Sequence, residues 1–157
     1  MWKGNLVSIH ITSTVSEAMQ LVDEIRAIAG KGLEGDRYLA KDDPPTSKPD
    51  PGCQVTLIEI EAIEALKQEK NIVLKPGDAR RNLVTRGVPL NHLVDKEFQV
   101  GEVRLRGVRL CEPCKHLAAL TYPEVLPGLV HRGGLRAEIL TSGLIRAGDV
   151  IQEPQGQ

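Results

Sequence analysis

Short apolar–polar alternations, most of them closed by glycine or proline, constrain this chain more than any other feature. Residues 6–12, 54–58, 82–85, 97–100, 103–110, 135–140 and 144–151 read as short strands. Along residues 6–12, Val7, Ile9 and Ile11 fall on one face and Ser8, His10 and Thr12 on the other, which predicts a surface position for His10. The clearest helix is residues 59–70, where Ile60, Ile63, Ala65 and Leu66 recur among Glu and Lys. Residues 16–30 fit a helix through Met19, Val22, Ile25 and Ile28, but residues 25–28 fit a short strand equally well, and the pattern leaves both open. Residues 42–52 contain four prolines and are expected to form an exposed loop. Many short strands with few helices, and no sustained alternation of the two, predict a mainly β, curled or barrel-like sheet rather than a doubly wound fold.

A chain of 157 residues suits a single domain with one core, stable without a disulfide framework or structural metal. No apolar run approaches the length of a membrane span and the first residues lack an apolar signal core, so a cytoplasmic protein with reduced thiols at Cys53, Cys111 and Cys114 is expected. Nucleic acid is a poor partner for a chain of net charge −1 whose four aromatics, Trp2, Tyr38, Phe98 and Tyr122, are scattered. The charge is nevertheless uneven. Residues 1–74 carry a net −4 and residues 75–150 a net +4, and nine of the twelve cations in the second segment are arginine. Arginine's planar fork suits phosphate and other oxyanions, and Arg80 and Arg81 are the better ligand candidates. Alternation such as Val103-Arg104-Leu105-Arg106 also fits solvated strand faces.

Gly30-Lys31-Gly32-Leu33-Glu34-Gly35 has the glycine spacing of a dinucleotide loop. It runs into the proline-rich segment instead of a helix, so a tight turn presenting Asp36 and Arg37 explains it better. Cys111-Glu112-Pro113-Cys114 precedes residues 115–120, which are able to begin a helix. A thiol there, beside Lys115 and near His116, favours the thiolate needed for nucleophilic attack or metal ligation, although two small buried residues would leave the same pattern. Neither Cys53, His116 nor His131 supplies the second ligand pair of a zinc site, and the strand order lacks the parallel context of a thioredoxin-like dithiol. His92 fits a turn surface. His131-Arg132-Gly133-Gly134 offers an imidazole and a guanidinium on a glycine-rich loop, so His131 and Arg132 are candidate cofactor contacts as well as plain surface residues. The usual serine hydrolase, zincin and P-loop motifs are absent from the sequence.

Taken in order, residues 32–38 (GLEGDRY), 54–58 (QVTLI), 81–87 (RNLVTRG), 111–114 (CEPC) and 143–149 (GLIRAGD) resemble the MOSC family, named for the C-terminal domain of molybdenum cofactor sulfurases. The resemblance covers about residues 16–151. It implies one MOSC domain over residues 1–157, with a mainly β barrel-like fold similar to the β-barrel domain of pyruvate kinase, a few short helices, and residues 20–29 extended. It implies that Cys114 is the reactive cysteine, as molybdenum ligand or sulfur carrier, with Cys111 at a less critical place. Arg81 and Asn82, with the turn Gly35-Asp36-Arg37, would line a pocket for the anionic pterin of the molybdenum cofactor. Tyr38 stands where many members have histidine. Three activities follow from the resemblance: reduction of N-hydroxylated compounds, transfer of a persulfide sulfur, and storage or hand-over of the cofactor. The pyridoxal phosphate domain of the sulfurases and the extra N-terminal domain of larger relatives have no counterpart in these residues. A separate cysteine desulfurase, an electron-donor protein or a second copy in a homodimer would then complete the function.

Overall fold

A computed structural model describes residues 1–14, 17–39 and 50–155. Its strands are β1 (Lys3–Ile11), β2 (Gln20–Val22), β3 (Glu24–Ile28), β4 (Gly32–Leu33), β5 (Val55–Glu59), β6 (Leu83–Arg86), β7 (Glu97–Val100), β8 (Val103–Leu110), β9 (Leu135–Ile139), β10 (Gly143–Arg146) and β11 (Val150–Gln152). The helices are α1 (Ile60–Lys70), α2 (Lys115–Leu120) and α3 (Val125–Gly128), with single 3-10 turns at Pro51–Cys53, Pro76–Ala79 and Leu90–His92.

Successive side chains on a strand point to opposite faces, and in β5 and β6 both faces are apolar. Leu57 and Leu83 join one buried cluster with Leu6, Ile9, Phe98 and Leu105. Their neighbours Ile58 and Val84 join another with Ile63 and Leu66 of α1, Leu117 of α2 and Leu129. The first cluster is the barrel interior and the second is the layer between the barrel wall and its helices. β5 and β6 are parallel, which requires a crossover, and α1 supplies it. Ile60, Ala62, Ile63 and Leu66 face inward, Glu61 sits in the first turn, and Lys67 and Lys70 sit in the last turn where they complement the helix dipole. Asn71, at φ 56°, ends the helix by donating its N–H to the Leu66 and Lys67 carbonyls.

The strand order β1-β11-β7-β8-β9-β5-β6 returns to β1, so seven strands close a barrel with no free edge along that ring. β2 extends the outer part of β1, and β10-β3-β4 forms a separate small sheet whose Ile25, Ala27, Leu33 and Ile145 pack into the barrel cluster. Residues 20–28, open between helix and strand in the sequence, are extended as β2 and β3.

Four expectations need correction. His10 is buried, because β1 pairs on both edges and the turn at Gly77 packs against its ring; burial holds the imidazole pKa below its ordinary value, against the opposing charge of Asp78. The register of β1 against β6 shifts between Leu6 and Ser8, which puts Leu6 rather than Val7 in the core. Residues 144–151 are two strands in different sheets, because Gly148 at φ 93° turns the chain between β10 and β11. Of the loop expected at residues 42–52, residues 42–49 lie outside the described residues; Pro51–Cys53 is a 3-10 turn with Gly52 buried, since Asp50 caps it by accepting the Gly52 N–H at 2.8 Å.

One buried amide joins three barrel strands. Asn82 Oδ1 accepts the Thr56 N–H at 3.0 Å, and Asn82 Nδ2 donates to the His10 carbonyl at 3.1 Å. The Thr56 hydroxyl donates to Asn82 Oδ1 at 3.2 Å and accepts the Asn82 N–H at 3.1 Å. Asn82→Ala takes their partner from two buried donors, the Thr56 N–H and hydroxyl, and from one buried acceptor, the His10 carbonyl, and is expected to cost about 2–4 kcal/mol. Urea unfolding of wild type and variant measures the loss; a change below about 0.5 kcal/mol would show that the strands do not need the amide.

Candidate functional site

The chain leaves β8 through residues 111–114 and enters α2 at Lys115, with extended backbone at Cys114 as the N-cap. Two neighbours fix this segment. From beneath, the buried Arg81 guanidinium donates to the Gly133 carbonyl through Nε at 2.9 Å, to Ala79 through Nη1 at 3.4 Å, and to Cys111 and Glu112 through Nη2 at 3.3 and 3.4 Å. Outside, the His131 N–H donates to Glu112 Oε1 at 2.7 Å, and its Nδ1 lies 3.0 Å from Oε2. Gly133 is required at the crossing of these loops, because a Cβ there would collide with the Cys111 carbonyl oxygen. Cys111 is thereby buried and Cys114 left exposed.

Cys114 opens on a cavity of about 320 Å³ lined by Arg37, Arg80, Arg81 and Arg136, by Tyr38, Cys53 and His116, and by the apolar wall of Leu117. Among the described residues, no Asp or Glu lines it. The turn 35–38 aims Arg37 inward. Gly35 takes φ +84°, which lets the fully buried Asp36 reach back to accept the Thr12 N–H at 3.1 Å and the Tyr38 N–H at 3.4 Å. Asp36 also stands 3.5 Å from Arg37 Nη1. The Arg37 guanidinium lies 4.6 Å from the centre of the Tyr38 ring and donates through Nη2 to the Tyr38 hydroxyl at 3.3 Å and to the Arg80 carbonyl at 3.2 Å. Arg80 itself, in left-handed backbone at φ 60°, donates to the Glu17 carbonyl at 2.6 Å. Burial and the adjacent Arg37 charge lower its pKa, with Tyr38 opposing. A cavity lined by several guanidiniums and, among the described residues, by no carboxylate favours an anion. Arg80 also borders a second cavity of about 220 Å³ that includes Met19, Gly77 and Leu120.

The structure thus brings Arg37, Arg81 and Cys114 together and keeps other sequence candidates apart. Asn82 is wholly buried in the barrel wall, and Gly35 and Asp36 shape the turn without lining the cavity. His131, at φ 64° with its side chain 80% exposed, faces Glu112 rather than the cavity, and Arg132 pairs with Glu69. Sequence reasoning missed Arg136 and Cys53. Arg136 lies directly opposite Arg109 across β8 and β9, a like-charge pairing visible only once the register is known. Both arginines are occupied with the turn below: Arg109 donates to Asp50 at 3.1 and 2.8 Å, and Arg136 to the Gly52 carbonyl at 3.2 Å. Burial works against the Arg136 charge, but attraction to the ionised forms of Cys111, Tyr38 and Cys53, with a hydrogen bond to Tyr38, outweighs it and raises the pKa. The Arg109 bonds hold the Asp50 carboxyl well below the usual carboxylate range.

Residues 47–152 match the family model described as the MOSC domain. The fold is similar to that of the YuaD protein of Bacillus subtilis, at a TM-score of 0.80 and 17% identity over 99% of this chain and 100% of that one. It is also similar to YiiM of Geobacillus stearothermophilus, at 0.72 and 13% identity over 97% and 75% of the two chains. For YiiM of Escherichia coli the values are 0.63 and 15% over 98% and 71%. No curated protein matches the sequence.

Arg81→Lys replaces a planar fork by a point charge that cannot reach carbonyls from three segments. The expected result is a stability loss of about 2–3 kcal/mol together with faster alkylation of Cys111 relative to Cys114, read by peptide mass mapping. Unchanged protection of Cys111 would mean that the fork does not hold residues 111–112.

Proposed function

The chain belongs to the MOSC domain family, and on that premise we propose that it binds the molybdenum cofactor, with Cys114 as the ligand to molybdenum, and reduces N-hydroxylated compounds. The observation that carries this reading is an exposed thiol at the mouth of a cavity with four guanidiniums and, among the described residues, no lining carboxylate. The donor set fits the group. A soft thiolate suits a thiophilic metal, and guanidinium forks suit a pterin phosphate. About 320 Å³ is at the lower end of small-molecule sites.

When bound, the cofactor supplies two-electron chemistry at its metal. The chain's own residues hold and orient it. Arg37 and Arg80 face the phosphate, Arg81 adds charge while its N–H groups remain on backbone carbonyls, and Leu117 keeps water from the thiol side. Electrons would come from a separate electron-donor protein. A second reading, a persulfide on Cys114 delivered by a separate cysteine desulfurase, is favoured by the exposure of that thiol, which a partner protein is able to approach.

The test is reduction of an N-hydroxylated amidine by full-length protein from a cofactor-producing host, with a reduced viologen as electron source. Cys114→Ser is expected to lose about a hundredfold or more, and Arg80→Gln about tenfold in cofactor retention. Activity retained in Cys114→Ser would end the ligand reading. Persulfide labelling at Cys114 without any reductase activity would establish the carrier instead.

A further inference from the structure

The Tyr38 phenol in the cavity wall accepts hydrogen bonds from its neighbours and gives none back. Its oxygen takes an N–H of Arg37 Nη2 at 3.3 Å, and Arg136 bonds to it from β9. A phenol has one donor and two acceptor positions, and arginine only donates, so two guanidiniums fill the acceptor side and leave the O–H. Among the described residues, no group accepts that proton. The phenol is also held in place: its ring centre lies 4.6 Å from the Arg37 guanidinium, and its backbone N–H is 3.4 Å from Asp36 Oδ2. The guanidiniums around it are in the opposite condition. Arg81 keeps its N–H groups on the carbonyls of residues 79, 111, 112 and 133, and Arg136 donates to the Gly52 carbonyl. Both hydrogens of Arg37 Nη2 have partners, in the Tyr38 hydroxyl and the Arg80 carbonyl. These cations supply positive potential, while much of their short-range donor capacity is taken up within the protein.

We infer that the Tyr38 hydroxyl is a direct hydrogen-bond donor to the anion held in this cavity, and that it selects an unprotonated oxyanion oxygen. With its acceptor positions filled, the phenol has no lone pair to offer a ligand N–H or O–H. A sulfate oxygen, or a terminal oxygen of a fully ionised phosphate ester, is the kind of atom that suits it. The inference rests on the anion-binding part of the proposed function, in which that oxygen belongs to the pterin phosphate, and not on the metal. Arginine charge brings the anion in, and the phenol fixes one of its oxygens.

The experiment uses the full chain from a host that makes no molybdopterin, with inorganic sulfate as the probe because it carries no proton at neutral pH. Calorimetric titration at constant ionic strength is expected to show a saturable sulfate site, weakened about tenfold or more in Tyr38→Phe. A second readout separates donation by the phenol from mere placement of the two arginines. In Tyr122→Phe, which removes the other, exposed tyrosine, Tyr38 is the sole phenol of the chain. The intensity ratio of the tyrosine Raman Fermi doublet falls as the phenol donates its proton more strongly, and sulfate is expected to lower it. Three results overturn the inference: no sulfate binding by the wild type, equal affinity in Tyr38→Phe, or sulfate binding that leaves the doublet unchanged. The doublet decides the matter whether or not Tyr38→Phe folds. Sulfate binding with the lowered ratio, in a chain that takes up no molybdenum from a cofactor-making host, would uphold the inference and end the proposed function.

Discussion

A single buried guanidinium determines where the exposed thiol of Cys114 lies. Arg81 follows a residue in left-handed backbone and points under the barrel rim, where its N–H groups meet carbonyls of residues 79, 111, 112 and 133. No aliphatic side chain satisfies those acceptors, and no side chain but arginine offers so many donors in one plane. Because the fork is occupied, the segment 111–114 is fixed between β8 and α2, with Cys111 inward and Cys114 outward. The same charge stands beside the cavity, so a structural contact also biases the site toward anions.

The barrel makes such a site affordable. Its closure leaves no ring edge unpaired, and helices cover the outer faces of β5 and β6, so apolar burial holds the strands without help from the rim. Gathering arginines at that rim works against folding unless each finds an acceptor. Arg37 has Asp36 and Tyr38, Arg109 has Asp50, and Arg136 has the Gly52 carbonyl. Of these partners only Tyr38 lines the cavity; Asp36, Asp50 and Gly52 do not.

The strands and α1 were legible because their periodicity is local. Ile60, Ile63 and Leu66 announce a helix without reference to anything distant, and α2 begins at Lys115 as its sequence suggests. His10 could not be placed correctly from alternation, since a polar residue on the outer face of a strand is buried only if something else packs there; here the turn at Gly77 does. Likewise Gly148 splits residues 144–151 only because its φ is positive, which glycine permits and does not announce. At the site, Cys114 and Arg37 stood out in short motifs. Arg136 and Cys53 did not, because their roles come from the register of β9 against β8 and from a turn far away in sequence. Asn82 and His131 drew notice for good reason, but their bonds serve the barrel wall and the 111–114 segment.

On the proposed reading, Cys114 is a soft ligand in an anion-binding cavity. The most direct measurement is molybdenum and pterin content per chain of protein purified from a host that makes the cofactor, with Cys114→Ser prepared in parallel. Near-stoichiometric molybdenum and pterin in the wild type, with molybdenum lost in the variant, is the predicted result. Absence of both from the wild type, or equal molybdenum in the two proteins, would contradict it.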